Sequence, residues 1–330
     1  MSTAADADQA AVRRRLVTCA ETARLAPSKH NSQPWRFEVH EDCLEVHEDS
    51  NRAVGPSDPD GRESLIACGA AVEAACVAVR GQGFLPVLEL FPDGPSGPVA
   101  RLREGESLPA TGEELALVAA VQERRTDRGP LDATGLDPAL PFLLQRAAGR
   151  FGAHLRLVTG AGDRSTLRHL VALADSQLIR RDDVLEELAR WSRPPGDPRP
   201  DGVRTEATRG AVESYRAEFV QRDFAQADGL AGHDRLAADR PLVAVLCTPT
   251  DSHLDRVRAG QALMAVLLRA HVAGAHASYL NQPVEVSAVR ALMRVELSLP
   301  GDAQMVLRLG VGGPVPATPR RPVEDVIVLP

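Results

Sequence analysis

The sequence has little lysine, few aromatic residues and no excess of basic charge. Lys29 is the only lysine among 38 basic residues, so arginine carries almost all of the positive charge. Aromatic residues make up 3% of the chain, and the formal net charge is −7. Proteins that bind single-stranded nucleic acid need stacking rings, and proteins that bind anionic surfaces need a basic excess. Neither nucleic acid nor a membrane is therefore an expected partner.

Cysteine usage and the distribution of apolar residues indicate a compartment. The five cysteines form no CxxC pair and their number is odd, which is typical of a reduced protein with buried thiols. Residues 1–9 have no apolar core and do not resemble a signal peptide. The longest apolar run, residues 262–275, is interrupted by Arg269 and His271 and is too short to span a bilayer. We expect a cytoplasmic protein.

Several motifs of large enzyme classes are missing. The sequence contains no HExxH, GxSxG or Walker A motif, so no motif supports a metalloprotease, serine hydrolase or NTPase activity. Among nine histidines, His40 and His47 flank a predicted hairpin, while His271 and His276 lie five residues apart. Neither pair belongs to a His/Cys cluster with ligand spacing, so no metal site is expected.

Residue patterns predict alternating helices and strands. Helices are expected at residues 10–25, 63–80, 113–124, 138–148, 163–190, 205–227 and 255–273. Strands are expected at residues 35–40, 43–48, 85–91, 99–102, 154–158, 241–247 and 304–311.

Two of the apolar helical segments share a pattern. Residues 69–83 and 260–274 match in length and in glycine spacing. Both have small residues near the start, which allow close helix approach, and a final glycine suited to a helix C-cap. Two such helices that face each other form a pseudo-twofold core; two unrelated apolar helices are the alternative.

The most specific motif is the loop of residues 26–35, with the sequence APSKHNSQPW. Pro27 and Ser28 break the helical pattern that precedes them. Asn31 and Gln33 carry amides that both donate and accept hydrogen bonds. Such a loop offers a rigid polar rim to a flat polar ring. The alternative is an ordinary helix–turn–strand junction that buries a tryptophan.

This loop resembles the P-S-x-x-N-x-Q-P-W element of FMN-dependent nitroreductases. Residues 124–128, with the sequence RRTDR, resemble the R-x-S-x-K/R segment of that family. Residues 274–283 resemble the turn after its central helix, and residues 320–322 its C-terminal basic element. Residues 147–154, where a second loop is expected, lack the motif, so one flavin site is complete. The chain is thus similar to the fused, single-chain Acg-type branch.

The resemblance implies an α+β nitroreductase-like fold of two pseudo-symmetric repeats, whose mixed sheets pack through central helices. Residues 1–110 form a degenerate first half that donates the flavin-capping loop. Residues 111–330 form a second half that binds the phosphate and the ring. The proline-rich residues 191–204 suit a lid over the site, and a surface connector is the alternative.

The resemblance also implies residue roles, with FMN as the cofactor. Arg124 and Arg321 are the first choices for the phosphate, with Arg320 in reserve. Arg128 is expected at the N1–O2 edge of the ring, where a cation stabilises the reduced flavin. The expected FMN-binding residues are Pro27, Ser28, Lys29, Asn31, Gln33, Arg124, Arg125, Thr126, Arg128, Asn281, Gln282, Pro283, Arg320 and Arg321.

The function implied by the resemblance is NAD(P)H-dependent reduction of a small-molecule electron acceptor. A nitroaromatic, a quinone or a similar acceptor would take the electrons in a ping-pong exchange, with Asn281 and Gln282 near the flavin N5. Gln282 replaces a glycine of the family and crowds the nicotinamide position. A non-catalytic protein that binds or sequesters flavin is therefore the alternative, and a flavin-free interaction module is a third. The chain is expected to be a monomer with a pseudo-dimeric interior, or a weak homodimer.

Overall fold

The structure, a computed structural model, describes residues 4–205, 218–222 and 239–330. Within these ranges the chain is a mixed α+β protein in which helices pack against two separate sheets. Of the helix predicted at residues 205–227, residues 206–217 and 223–227 lie outside the described residues, and the prediction is wrong for residues 218–222, which are not helical.

The first sheet comes almost entirely from the N-terminal third of the chain. Its antiparallel strands are β1 (Trp35–Val39), β2 (Leu44–Glu48), β3 (Phe84–Leu90) and β4 (Ala100–Ser107), in the spatial order β1-β2-β4-β3. Side chains along β1 alternate between the core and the outer face, as the pleat of a strand requires. A short strand from the C-terminus, β11 (Ile327–Val328), pairs in parallel with the other edge of β1.

The second sheet is antiparallel and covered on both faces. Its strands are β5 (His154–Leu157), β8 (Leu242–Thr248), β9 (His276–Tyr279) and β10 (Asp302–Gly310), in the order β5-β8-β10-β9. Successive residues of β8 belong to two different hydrophobic clusters, one on each face, so this strand is a continuous apolar run. A separate parallel pair joins β6 (Ser192–Arg193) to β7 (Val203–Arg204).

The helices follow most of the predicted segments. They are α1 (Ala4–Ala23), α2 (Arg62–Gly81), α3 (Gly112–Glu123), α4 (Leu140–Gly149), α5 (Ala161–Leu178), α6 (Asp182–Trp191), α7 (His253–Val272), α8 (Gln282–Glu285) and α9 (Ser287–Glu296). The single helix predicted at residues 163–190 is wrong, because Arg181 adopts an extended conformation and two acidic residues begin α6. The short elements β9, β11, α8 and α9 were outside the sequence prediction.

Helices α2 and α7 cross at two glycines in the centre of the molecule. A Cβ atom on Gly69 would lie 2.1 Å from the carbonyl oxygen of Val257, and one on Gly260 would lie 2.0 Å from that of Ile66. No side chain fits such gaps, so the two helical backbones are in direct contact. The close approach predicted for these helices is therefore present.

Helix α2 is also the only helix in the described ranges that is long and apolar enough to cross a membrane. Of its apolar window, 89% is buried inside the protein. Its hydrophobicity is accounted for by its place at the centre of the core.

The C-terminal arm, residues 312–330, connects the two sheets. It leaves β10 of the second sheet, and the Arg321 N–H donates to the side-chain oxygen of Gln33 at 2.7 Å. It ends as β11 on the first sheet, where Ile327 is paired with Phe37. The last residues of the predicted second half thus complete the sheet of the first half.

Substitution of Gly69 or Gly260 by alanine is expected to destabilise the fold by about 3 kcal/mol or more, because a methyl group must displace a main-chain carbonyl. Gly162→Ala is the matched control, since it lies in a helix with nothing within 4 Å of an added Cβ. That control is expected to be neutral or to stabilise by up to about 1 kcal/mol. Urea unfolding measures all three. Equal unfolding midpoints for Gly69→Ala and the wild type would contradict the tight crossing.

Candidate functional site

The loop of residues 27–34 enters left-handed backbone three times within four residues. His30, Asn31 and Gln33 have φ angles of 50°, 56° and 55°. Such conformations cost a non-glycine residue about 1–3 kcal/mol and persist only where the surroundings fix them. Strain of this kind is concentrated at binding and catalytic sites, so the loop is a candidate functional element.

Gln33 fixes this loop from inside. Its side chain is fully buried and donates to the carbonyl of Pro200 at 3.0 Å, while it accepts from the Arg321 N–H. Its own N–H donates to Ser28 Oγ at 2.9 Å. Gln33 therefore joins the loop to the 191–204 segment and to the C-terminal arm.

Asn31 and Arg320 form the second connection between the loop and the arm. Asn31 donates to the carbonyl of Pro319 at 3.1 Å and accepts from an Arg320 Nη at 3.1 Å. The other Nη of Arg320 donates to the carbonyls of Leu25 and Ala26 at 3.1 and 3.3 Å. These contacts hold the guanidinium of Arg320 at the start of the loop.

The segment of residues 124–128 runs in extended form beside β9. Thr126 is bridged to Ala277, and the Asp127 N–H donates to the Ala277 carbonyl at 2.9 Å. The Asp127 carboxylate lies 2.9 Å from His276 Nδ1. Asp127 thus anchors the segment, and Thr126 lines two adjoining cavities.

A wide cavity of about 520 Å³ lies where these parts meet. Its walls come from the 27–34 loop, the 124–128 segment, the 191–204 segment and the C-terminal arm. The volume is in the range of about 300–1,000 Å³ that small-molecule sites occupy. The charged residues in its walls are Arg124, Arg125, Arg128, Arg204, Arg320 and Asp197.

Positive charge exceeds negative charge in the wide cavity. Asp197 is already paired with Arg199, and the described part of the chain places no carboxylate in ion-pair contact with Arg124, Arg125 or Arg320. Burial, together with the charges of Arg124 and Arg125, lowers the pKa of Arg320 to about 9. Burial also lowers the pKa of Arg124. An anion in the cavity would relieve this repulsion.

A narrow cavity of about 120 Å³ adjoins the wide one. Four residues line both cavities, namely Pro27, Ser28, Thr126 and Arg128. Burial lowers the pKa of Arg128 to about 10, although Tyr279 and Asp127 oppose this shift. The apolar part of the narrow cavity comes from α2, α7 and β10 through Ile66, Ala67, Leu263 and Met305.

A buried network of charges forms another wall of the narrow cavity. The Lys29 side chain is 5% exposed, and its Nζ lies 3.3 Å from Glu63 and 3.1 Å from Glu285. Arg222 pairs with Glu285 at 2.6 Å, and Arg62 with Glu63 at 3.0 Å. The only lysine of the chain is thus held between two carboxylates, as a buried ammonium requires.

The two carboxylates of this network differ in protonation. Burial raises the pKa of Glu63, and the neighbouring charge of Glu285 adds to that rise. Burial also opposes ionisation of Glu285, but the cations Arg222 and Lys29 hold the pKa of its carboxyl well below the usual range. Glu63 is therefore the carboxyl of this pair that takes up a proton more readily.

His30 connects the loop to α6. Its Nε2 lies 3.1 Å from a Glu187 oxygen, and the Ser57 N–H donates to the other oxygen at 2.8 Å. Burial lowers the pKa of His30 to about 4, so the imidazole is neutral at neutral pH. This contact holds the part of the loop that contains Lys29 against α6.

The turn of residues 281–283 closes the narrow cavity. Asn281 accepts from the Val306 N–H at 3.1 Å, and the Gln282 amide donates to the carbonyl of Val220 at 3.3 Å. The N–H groups of Asn281 and Gln282 come before the first hydrogen bonds inside α8. Pro283 is buried in the first turn of α8 and lines neither cavity.

The segment of residues 191–204 covers one side of the wide cavity. Asp201 lies 2.6 Å from both Arg52 and Arg193, which attaches the segment to the first half of the chain. The strand pair β6–β7 closes the segment on itself. It is a cavity wall with defined contacts.

The structure brings most of the expected FMN-binding residues to the two cavities. Those in the cavity walls are Pro27, Ser28, Lys29, Asn31, Arg124, Arg125, Thr126, Arg128, Asn281, Gln282 and Arg320. Gln33, Pro283 and Arg321 line neither cavity.

The sequence favoured Arg321 over Arg320 as the phosphate ligand, but in the structure Arg320 lines the wide cavity and Arg321 does not. The guanidinium of Arg321 donates to the Asp325 carbonyl at 2.8 Å and lies 3.6 Å from Asp49. Consecutive side chains of an extended segment point to opposite sides, so only one of the two arginines reaches the cavity. Arg320, expected only in reserve, is that residue.

Sequence reasoning missed several wall residues. Glu63, Glu285 and Arg222 are far apart in sequence, and the one available signal was that a lone buried Lys29 needs counter-charges. Tyr279 lines the narrow cavity, and burial raises its pKa, although the charges of Arg124 and Arg128 oppose this shift. It is the last residue of β9, a strand too short and too polar to stand out from the sequence.

The residues present fit FMN. Its phosphate requires several donors, and the buried Nε atoms of Arg124 and Arg320 have no hydrogen-bond partner among the described residues. Its ring requires a slot with an apolar wall, which α2 and α7 supply next to Arg128. The wide cavity, with its arginines, adjoins the narrow cavity, with its apolar wall. This order matches FMN, in which a ribityl chain joins the phosphate to the ring.

Comparison with known proteins gives an independent result. The chain is 32% identical over 311 residues to a Mycobacterium tuberculosis protein named "Putative NAD(P)H nitroreductase", across 92% of this chain and 88% of that protein. It is 30% identical over 314 residues to the protein of that organism named "Putative NAD(P)H nitroreductase acg", across 93% of both chains. An uncharacterized protein of the same organism is 33% identical over 319 residues, across 92% of this chain and 89% of that protein.

No family model matches the chain. The similarity to these relatives extends over nearly the whole length of each protein. The chain therefore belongs to the nitroreductase-like family, with relatives of the Acg type.

Proposed function

We propose that this protein is an FMN-dependent NAD(P)H oxidoreductase. Electrons from NAD(P)H would pass by ping-pong exchange to a small-molecule acceptor such as a nitroaromatic or a quinone. The observation that carries the proposal is the surplus of buried arginine donors in the wide cavity, directly beside a slot with an apolar wall. Membership of the nitroreductase-like family supports the reaction class.

In this proposal the wide cavity holds the flavin phosphate. Arg124 and Arg320 present buried Nε donors, and Arg125 adds a third positive charge. Guanidinium groups match phosphate oxygens in pairs, and each charge-assisted bond contributes about 1.5–3 kcal/mol. Thr126, at the junction of the two cavities, supplies a hydroxyl.

The narrow cavity and its rim hold the ring. FMN, when bound, supplies the hydride and electron transfer, so the side chains need only bind, orient and exclude water. Arg128 places a fixed positive charge at the junction of the two cavities, where it favours an anionic ring edge. The N–H groups of Asn281 and Gln282 offer donors at the other end of the slot. Glu63, with its raised pKa, is positioned to hold a proton there.

We also propose that residues 1–110 and 111–330 are repeats that share one flavin site. Two observations support this proposal. Each half contains its own sheet, apart from β11, and the first residues of the two matched helical segments, Gly69 and Gly260, lie against each other. The C-terminal arm returns to the first sheet of the same chain, which supports a monomer or a weak homodimer. A cytoplasmic location fits the cysteine pattern.

A second candidate function is storage or sequestration of FMN without turnover. It is favoured by residues 191–204, which line the wide cavity and are attached through Asp201 and Pro200. If this segment acts as a lid and stays closed, nicotinamide has no access to the ring.

Arg124→Ala and Arg320→Ala are each expected to weaken FMN binding by about 10- to 100-fold, because each removes a charge-assisted phosphate contact. Riboflavin, which lacks the phosphate, serves as the control ligand, and its affinity is expected to stay within about twofold of the wild type. Arg14→Ala is the control variant, since Arg14 is exposed on α1. Fluorescence titration of apoprotein measures both ligands. An equal loss for FMN and riboflavin would contradict the phosphate assignment.

Asp201→Ala removes the carboxylate shared by Arg52 and Arg193, which attaches residues 191–204 to the rest of the protein. If this segment is a lid, its release gives NADPH access to the ring, and flavin reduction by NADPH is expected to accelerate at least about tenfold. Stopped-flow absorbance under anaerobic conditions measures the rate. Asp163→Ala, which removes an exposed ion pair with Arg156, is the matched control and is expected to leave the rate unchanged.

The same experiment separates the two candidate functions. Reduction of the wild type by NADPH supports the reductase. No reduction of the wild type, with fast reduction of Asp201→Ala, supports sequestration under a lid. Unchanged rates in a folded, FMN-loaded variant would assign residues 191–204 to the connector interpretation.

A further inference from the structure

The outer face of the β1–β2 hairpin carries four potential metal ligands. Glu38 lies on β1, and His40 follows that strand; Glu45 and His47 lie on β2. Residues two apart on a strand share a face, so each strand presents one carboxylate and one imidazole. Glu38 and Glu45 are directly opposite each other in the strand register. Like charges in that position destabilise a sheet unless a cation lies between or beside them.

The carboxylates each direct one oxygen at both imidazoles. His40 Nε2 lies 3.9 Å from Glu38 Oε2 and 3.6 Å from Glu45 Oε2. His47 Nε2 lies 3.8 Å from Glu38 Oε2 and 3.2 Å from Glu45 Oε2. The same two oxygen atoms therefore face the same two nitrogen atoms across a small gap.

Arginine side chains hold the remaining carboxylate oxygens. Arg36 lies 2.8 Å from Glu38 Oε1, and Arg101 lies 2.7 Å from Glu45 Oε1. Outer contacts of this type orient metal-binding carboxylates in known sites.

Hydrogen bonding explains only part of this arrangement. The His47–Glu45 separation of 3.2 Å is a hydrogen bond, but the three others are too long for one. His40 Nε2 is buried, and no described residue lies within hydrogen-bonding distance of it. Ligands about 2.0–2.1 Å from a tetrahedral ion lie about 3.3–3.5 Å from one another, which is close to the four separations seen here.

We propose that Glu38, His40, Glu45 and His47 bind a divalent transition-metal ion of the zinc type. Imidazole and carboxylate are ligands that Zn²⁺ accepts, and two carboxylates neutralise its charge. Ligand atoms of Glu38, His40 and Glu45 lie within 4.8 Å of one another, and a rotation of the His47 side chain would bring the fourth ligand to bonding distance. The site departs from the sequence expectation that no metal is bound.

The position of the site indicates a structural role. Glu38 and His40 face away from the core side of β1, so the ion would not reach the flavin cleft. The ion would cross-link β1 to β2 beside β11, where Val328 is paired with Glu38. It would thereby stiffen the sheet edge that anchors the C-terminal arm. This inference does not depend on the proposed reductase function.

Zinc titration of the full chain tests the proposal. The protein is prepared without a histidine tag, treated with EDTA and separated from the chelator. Isothermal titration calorimetry with Zn²⁺ is expected to give one ion per chain. His40→Ala and His47→Ala should each weaken binding by more than about tenfold. His154→Ala, an exposed strand histidine in the second sheet, is the matched control and should bind as the wild type does.

Two further measurements protect the test against misfolded variants. Circular dichroism of each variant establishes that its fold is retained. In the wild type alone, Co²⁺ in place of Zn²⁺ is expected to show the intense visible absorption of a tetrahedral ion. Zinc affinity that is equal in the wild type and the His40→Ala, His47→Ala double variant would overturn the proposal. A Co²⁺ spectrum that matches the hydrated octahedral ion would also overturn it.

Discussion

The direct backbone contact between α2 and α7 is the packing constraint on which the narrow cavity depends. At Gly69 and Gly260 an added Cβ would come within about 2 Å of a main-chain carbonyl, so the distance between the two helices is fixed. The same helices supply Ile66, Ala67 and Leu263 to the wall of the narrow cavity. The 27–34 loop, the 124–128 segment and the C-terminal arm meet at the adjoining wide cavity. The depth of the cleft therefore depends on two residues that have no side chain.

The second constraint is electrostatic. Arg124, Arg125 and Arg320 lie close together, and no described carboxylate forms an ion pair with any of them. Burial lowers the pKa of Arg320, and repulsion from Arg124 and Arg125 lowers it further. A protein accepts such a cost where a ligand anion offsets it, and a ligand that binds only the folded state adds its binding energy to stability. The charged network around Lys29 is different, because Lys29, Arg62 and Arg222 are each already paired with Glu63 or Glu285. One cavity is thus prepared for an anion, while the other has its charges satisfied.

Local sequence signals predicted segments that line the two cavities, and long-range contacts decided which of their side chains face a cavity. Pro27, Ser28 and Asn31 were recognisable because the residue types that favour a turn are adjacent in sequence. Gln33 belongs to the same motif, yet its contacts with Pro200 and Arg321 turn it inward. The choice between Arg320 and Arg321 depends on the alternation of an extended arm, which the sequence does not fix. The hairpin cluster was missed for a similar reason: its strands were predicted, but only the register places Glu38 opposite Glu45.

The central claim is that the arginine-lined cavity holds the phosphate of one FMN per chain. A crystal structure of the purified, FMN-loaded protein tests it most directly. The account predicts one flavin in each chain, with its phosphate within hydrogen-bonding distance of Arg124 and Arg320 and its ring in the slot beside Arg128. A second flavin in the same chain, or a phosphate placed away from these arginines, would contradict it.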